Sequence, residues 1–570
     1  MKRSLCLALA ILLCFPVFAA PRKSIHIVTT GDIHGSWFDQ PYVEGERVQN
    51  SLMAVNTYVD SLRKAVGCRN VVLLDAGDCL QGDNAAYYYN YVATGEKHLF
   101  PRIVRYMRYD AIVAGNHDIE AGHPVYDKVA AELKSHGIPF LGGNIIRDSD
   151  GTSYFPLYTV LRKGGLKILV LGFENPNIAN WLSEPLWKGM SFRDLLPFVQ
   201  ESVDKAVAET KPDIVVVVTH SGTGKGDGNV LESQGLDLFN SLTGVDLLVT
   251  SHDHQATLME REGMAMVNCG SRAANVTHTV IDVEGKRGKI LSKDIKPEIV
   301  PMDRDKADPR MRKHFAKAFE AVRRFTVEPV GNIGVPLRTR EAYRGMCDYV
   351  NLVHTVQISV PEARLSFAAP LTFDGYVEEG EVIFDDMFTI YPYENSMKVL
   401  NLRGSEIKDY LEYSYDMWIQ TPGEHVLKIE PRSNSERWNF VGRSYNFDSA
   451  AGLVYTVDVT RPFGERVEIS SLADGSAFDM EAMYPVAMTS YRANGGGGLI
   501  FEGAGLSKEE TESRTIAEYP EIRTLIYDYI RENVNISSAL IGNAETIGGW
   551  RFVPEALVEP LMDSDMDLLF

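Results

Sequence analysis

The first half of the chain repeats one polarity pattern: a short, unbroken apolar run that ends abruptly in polar residues. It occurs in "SIHIVTTGDIHG", "VVLLDAGD", "DAIVAGNHDIE", "DIVVVVTHSG" and "VDLLVTSHDH". Runs without in–out alternation predict strands buried on both faces. Helical periodicity lies between them, for example from Phe198 to Thr210, so the first domain is α/β. After about residue 296 the texture changes. "DPRMRKHFAKAFEAVRRF" opens with Asp308 before Pro309 and carries Phe315, Phe319 and Val322 on one face, which predicts a helical connector over 301–330. From residue 331 to 570 the pattern is mixed α and β, with alternating strands such as "LVYTVDVT". Near the end, "EIRTLIYDYIREN" has Ile522, Leu525, Ile526 and Tyr529 at helical spacing. The last residues, "MDSDMDLLF", are expected to be a loosely held tail.

A length of 570 residues fits two to four domains. The first twenty residues, "MKRSLCLALAILLCFPVFAA", have the layout of a secretory signal peptide. Val17 and Ala19 fit the small-residue cleavage rule, which puts the leader at 1–19 and the first domain at 20–300. Cys14 would suit a lipoprotein site, but Leu13 and Phe15 flank it poorly. No later segment is apolar for long enough to span a bilayer, so an exported protein without a transmembrane anchor, periplasmic or secreted, is expected. A net charge of -20 argues against a nucleic-acid polymer or an anionic membrane as partner. It leaves open a small anionic substrate met by metals or a few local cations. After cleavage Cys68, Cys79, Cys269 and Cys347 remain, at spacings that fit no metal or redox motif.

The polar strand ends carry the chemistry. In an α/β sheet the ligand crevice lies beyond the carboxyl ends of the strands. Asp32 and His34, Asp78, Asn116 and His117, His220, and His252 and His254 should therefore converge there. A single His is more often structural than a ligand, but five such endings in register are hard to obtain by chance. Carboxylate, imidazole and amide oxygen without thiolate suit Mn²⁺, Zn²⁺, Fe or Co. Two metals need a bridging carboxylate, and Asp78, alone at its strand end, is the natural bridge. An unligated imidazole beside them could stabilise a transition state or protonate a leaving oxygen. His117 is placed for that, with Glu120 to orient it, while Asp118, Asp253 and His123 suit supporting roles.

"GDIHG", "AGD", "GNHD", "THSG" and "SHDH", in this order, resemble the calcineurin-like metallophosphoesterase signature. With the second half, the chain resembles the exported 5′-nucleotidase family along nearly all its mature length. The resemblance implies a four-layer α/β/β/α metallophosphoesterase domain and an α+β substrate-binding domain. It also implies two divalent metal ions (Mn, Zn, Co, Fe or Mg). One would be held by Asp32, His34, Asp78 and His254, the other by Asp78, Asn116, His220 and His252, with His117 as the catalytic histidine. Two departures are visible. Ser251 stands where the last motif usually has Gly, and Glu120 where the nucleotidases often have Asp.

"IYPYENSMKVLNLRGSEIKDYLEYS" and "YNFDSAAGLVYTVDVTRPFGERVEI" resemble the branch of 2′,3′-cyclic-nucleotide 2′-phosphodiesterases and 3′-nucleotidases. "LSFAAPL" stands where 5′-nucleotidases carry an Asn-Gly-Gly-Gly-Ile-Arg type segment. The family's aromatic base clamp maps onto Tyr393 and Tyr491, which implies a nucleotide substrate and broad base tolerance. Arg492 has two readings, a contact to substrate phosphate or a salt bridge that holds its loop.

The four glycines of "MTSYRANGGGGLIF" lack the strand–loop–helix setting and the Lys-Ser/Thr of a phosphate loop. They are read as a turn that carries Tyr491 into the cleft. Gly497 stands where 5′-nucleotidases have a ribose-binding Asp, a carboxylate that would repel 2′- and 3′-phosphates. The expectation is a phosphoesterase of 2′,3′-cyclic and 3′-nucleotides, with 5′-nucleotides, nucleotide sugars among them, as the alternative. Two other classes compete, a thiosulfohydrolase on the same scaffold and a non-catalytic nucleotide-binding protein.

Overall fold

The computed structural model describes residues 22–44, 47–286, 289–432, 437–537 and 539–570. The leader expected over 1–19 lies outside the described residues. The unbroken apolar runs form two six-stranded sheets. One has the order Lys289–Pro301, Asn275–Lys286, Arg22–Thr30, Val71–Asp75, Ala111–Val113, Phe140–Leu141. The other has the order Ala256–Arg261, Met264–Cys269, Leu247–Val249, Ile214–His220, Leu166–Glu174, Tyr158–Lys163. In the first sheet the strands from Arg22–Thr30 to Phe140–Leu141 pair in parallel and the two on the other side antiparallel, while in the second the inner strands pair in parallel and both edge strands antiparallel. Parallel pairing brings the polar strand ends out along one border of each sheet.

The two sheets pack face to face. Ile25, Val72 and Val113 of the first meet Val170, Val216 and Leu247 of the second in one buried cluster. Helices Leu52–Val66, Leu99–Met107 and His123–Ser135 cover the outer face of the first sheet. Helices Leu195–Thr210 and Gly235–Ser241 cover the second. This is a four-layer α/β/β/α domain, and burial on both faces is why its strands read as continuous apolar runs. Helix Pro309–Thr326 is capped by Asp308, whose Oδ1 accepts the Arg310 N–H at 2.9 Å. It buries Met311, Phe315 and Val322 against the first domain.

The second domain centres on a five-stranded sheet. Its order is Ser449–Ala451, Leu365–Ala368, Met483–Thr489, Ser396–Arg403, Thr515–Glu521. Helix Gly404–Trp418 covers one face, and helices Asp348–Ile358 and Ile522–Asn533 cover the other. The four cysteines left open by the sequence are all free thiols.

The loose tail is a misreading. Glu555–Leu569 is a helix that buries Met562, Met566 and Leu569. Asp565 is fully buried, and its Oδ2 accepts the N–H groups of Val426 at 2.8 Å and Leu427 at 2.9 Å. Its Oδ1 lies 2.5 Å from His425 Nδ1. Four acidic or serine positions within "MDSDMDLLF" interrupt the apolar stripe of this helix in the sequence. Asp565→Ala would leave two buried N–H donors unpaired, at about 1–3 kcal/mol each. We expect a urea midpoint shift worth roughly 3 kcal/mol or more, and an unchanged midpoint would refute the packing role.

Candidate active site

Five of the seven expected metal ligands adopt left-handed backbone conformations. Their φ values are 48° for Asp32, 47° for His34, 58° for Asp78, 73° for His252 and 59° for His254. Non-glycine residues take such angles uncommonly, and they persist only where the surroundings over-determine them. The determinants are visible. Asp32 N–H donates to Gly77 O and His34 N–H to Asp78 O, each at 2.9 Å. Asp118, buried beneath, accepts the N–H groups of Asp78, Cys79, Leu80 and Gly115 at 2.9–3.0 Å. One carboxylate thereby ties two strand-end loops together.

The side chains gather in two groups, Asp32, His34 and His254, and Asp78, His220 and His252. In the first, His34 Nε2 lies 2.9 Å from His254 Nε2. The Asp32 Oδ1 atom is buried and has no hydrogen-bond partner. In the second, His220 Nδ1 donates to Ala76 O at 2.7 Å, which turns Nε2 toward the neighbouring oxygens. That Nε2 faces Asp78 Oδ2 and Asn116 Oδ1, each at 3.1 Å, and His252 Nδ1 lies 2.9 Å from the same Asn116 oxygen. Carboxylate, imidazole and amide-oxygen donors converging in this way offer ligand sets for cations. The donor set, imidazole and oxygen without sulfur, fits divalent transition ions. Burial holds His252 down at about 3 and His254 at about 4, so both rings stay neutral, as metal ligation requires.

Ser251, the departure from glycine, has its own place. Its Oγ donates to Asp32 Oδ2 at 2.6 Å, beside the His252 N–H at 2.8 Å. The room comes from Gly31, where a Cβ would sit 2.5 Å from that hydroxyl. The pair is a compensation that neither residue reveals alone.

His117 sits beside the two groups, its ring centroid 5.4 Å from that of His34. Its Nδ1 lies 2.5 Å from Glu120 Oε2, across one turn of the short helix Asn116–Glu120. The longer Glu arm therefore reaches the ring. Burial opposes the charged imidazole, but Asp78 and Glu120 together lift it to about 10. Asp253 is committed elsewhere, accepting from Thr223 N–H at 2.7 Å and Asn268 Nδ2 at 2.8 Å. His123 likewise pairs with Asp127 at 3.1 Å.

A cavity of about 570 Å³ opens between the domains over this floor. Asp78, Asn116, His117 and His254 line it from the first domain, and Tyr393 and Tyr491 from the second. Two further aromatics went unnoticed in the sequence. Tyr445 meets Tyr393 edge-on at 6.2 Å between ring centroids, and Trp181 stacks on His252 at 5.4 Å. Tyr445 opens the stretch "YNFDSAAGLVYTVDVTRPFGERVEI" without being singled out there, and Trp181 stands in no motif. The "LSFAAPL" segment contributes Phe367, Ala368, Ala369 and Leu371, an apolar wall.

Arg492 lines the cavity, but its donors are committed. It pairs with both oxygens of Asp448 at 2.9–3.1 Å and donates to Asn446 Oδ1 and Gly496 O at 3.0 Å and to Tyr445 O. Of its two readings, these contacts describe the strut that holds the loops of Tyr445 and Tyr491. The glycine run lies under the same ring: a Cβ at Gly496 would meet Tyr491 Cζ at 2.5 Å. Gly497 has φ 75°, and a Cβ there would lie 2.7 Å from Asn446 Oδ1. A glycine is thus required at this position by local geometry, in keeping with the turn expected of the run.

Residues 25–256 match the model of the family described as calcineurin-like phosphoesterase. Residues 328–503 match that of the 5′-nucleotidase C-terminal domain. The chain is 24% identical to a 2′,3′-cyclic-nucleotide 2′-phosphodiesterase/3′-nucleotidase of Haemophilus influenzae, covering 93% of this chain and 87% of that one. It is also 24% identical to the trifunctional nucleotide phosphoesterase YfkN of Bacillus subtilis, over 94% of this chain, but it spans only 39% of that relative's length. Among solved structures, a Staphylococcus aureus protein provisionally described as a 5′-nucleotidase superposes with a TM-score of 0.75 at 18% identity, covering 93% of this chain and 99% of that one. With this fold, these two domains and these two ligand groups, the chain belongs to the calcineurin-like phosphoesterases with a 5′-nucleotidase C-terminal domain, and it is a metal-dependent phosphoester hydrolase.

Proposed function

We propose that the protein is an exported dinuclear phosphoesterase of nucleotides that acts on 2′,3′-cyclic and 3′-nucleotides ahead of 5′-nucleotides. The observation that carries the reading is the interdomain cavity, which sets a metal-binding floor opposite a wall of tyrosines. Asp32, His34, Asp78 and His254 would hold one ion, and Asp78, Asn116, His220 and His252 the other. Two divalent ions held there would supply a water of lowered pKa and draw charge from the phosphoryl oxygens. His117, oriented by Glu120, delivers its proton to the leaving ribose oxygen. Tyr393 and Tyr491 hold the base by stacking, which tolerates any base.

The preference for 2′- and 3′-linked phosphate rests on two features. The cavity wall at Phe367–Leu371 is apolar, with no arginine to hold a 5′-phosphate, and Gly497 offers no carboxylate to the ribose. Export rests on the N-terminal leader. Among the described residues no helix is long and apolar enough to cross a membrane.

The test is one activity panel with Mn²⁺, Co²⁺ or Zn²⁺, comparing 2′,3′-cyclic AMP, 3′-AMP, 5′-AMP and a bis-aryl phosphodiester. Highest kcat/KM on the first two is expected. Turnover of 5′-AMP alone would overturn the ranking. Absence of any nucleotide turnover would favour a thiosulfohydrolase, and absence of stoichiometric metal a non-catalytic binding protein.

A further inference from the structure

The interdomain cavity does not end at the tyrosines. Val353 and Gln357, about one turn apart on helix Asp348–Ile358, line it together with Phe367 and Ala368 of strand Leu365–Ala368. All four are buried, so this part of the cavity is a recess in the interior of the second domain. Three of them offer apolar side chains. Gln357 is the exception, and its buried Nε2 has no hydrogen-bond partner among the described residues. Arg492, Asp448 and Asn446 line the cavity as well, but they are committed to one another.

The amide is held in one orientation. Ser366 donates its hydroxyl to Gln357 Oε1. Behind it stands His354, whose imidazole burial keeps neutral, with a single N–H. Its Nδ1 lies 2.8 Å from Ser366 Oγ, closer than the 3.3 Å from Nε2 to Ser449 Oγ, so that N–H goes to Ser366. The proton of Ser366 is thereby directed to Oε1, and the N–H groups of the amide are left for the recess. An unpaired buried donor is costly, so a built network that ends in one calls for an acceptor from whatever fills the cavity.

We propose that Gln357 reads the edge of the base and, because it presents donors, ranks oxo bases (uracil, hypoxanthine, guanine) above amino bases (cytosine, adenine). This deepens the reading above and rests on it, in that Tyr393 and Tyr491 hold the base. With the phosphate on the metal floor of the first domain, the base is the far end of the nucleotide and lies in the second. Stacking accepts any ring, and bases differ at their edges. O4 of uracil and O6 of hypoxanthine or guanine accept from an amide N–H. Cytosine and adenine carry an amino group at the same place, which sets donor against donor and leaves the buried amide unpaired. Tyr391 lines the same cavity, but its hydroxyl can donate or accept and so does not discriminate.

The test uses substrate pairs that share ribose, phosphate and scissile bond: 2′,3′-cyclic UMP against 2′,3′-cyclic CMP, and 3′-IMP against 3′-AMP. The wild-type protein should favour the oxo member of each pair in kcat/KM by about tenfold. Gln357→Met keeps the volume and removes the donors, and should bring both ratios toward one. Ser366→Ala leaves Gln357 in place but frees its amide to turn, so it should lower the ratios too. A merely structural serine would slow both members of a pair alike. Wild-type ratios at or below one, or ratios unmoved in the folded variants, overturn the proposal. Turnover of 5′-nucleotides alone would instead count against the substrate ranking above, and the ratio of 5′-IMP to 5′-AMP would then decide for Gln357. Absence of all nucleotide turnover would sink both.

Discussion

Asp78→Asn should abolish turnover and strip both ions from the protein. Asp78 lies at the centre of the site: its Oδ2 is 3.1 Å from His220 Nε2, and its Oδ1 accepts the His117 N–H at 2.8 Å. The amide is isosteric, so the loops tied by Asp118 need not move. Its NH₂ can donate to the lone pair of His220 and fill the role of a cation. Loss of a bridging ligand should exceed the ~10–100-fold that loss of an outer partner costs. Burial opposes the Asp78 charge, but His220 and His117 hold its carboxyl well below the usual range, so that charge stabilises the metal-free fold and the variant should melt at a lower temperature. Metal content by atomic emission, activity and a melting scan check the three claims. A variant that keeps two ions per chain would refute the bridging role.

His117→Ala should keep its metal and lose roughly 10²–10⁴-fold in kcat, the range of a general acid. The leaving group separates this role from simple positioning. A ribose oxygen needs a proton as it departs, whereas a nitrophenolate does not. The loss should therefore be large for 3′-AMP and small for bis-nitrophenyl phosphate. An equal loss on both would shift His117 to stabilising charge on the phosphoryl group. Glu120→Gln should fall between wild type and His117→Ala, because the 2.5 Å contact orients the ring and also raises its proton affinity.

What could be read in the chain follows from where energy is concentrated. Strands such as Val71–Asp75 and Ile214–His220 are buried on both faces, and their apolar runs admit few other readings. The candidate ligands were legible because each terminates such a run. Features that depend on two distant residues were not. Ser251 makes sense only with Gly31, and Arg492 only with Asp448. Tyr445 and Trp181 reach the cavity by tertiary placement, which nothing in their local pattern announces. The terminal helix was missed for a related reason. Asp565 reads as a surface charge until Val426 and Leu427 supply the N–H groups it satisfies.

All seven residues of the metal floor come from positions 32 to 254, and the tyrosine wall from positions 393 to 491. On the proposed reading, bond breaking and base recognition are thus written in separate stretches of the gene. A recombination or a run of substitutions in the second stretch can redirect the enzyme to another metabolite while leaving its hydrolytic machinery untouched. Selection can act on diet and on chemistry one at a time.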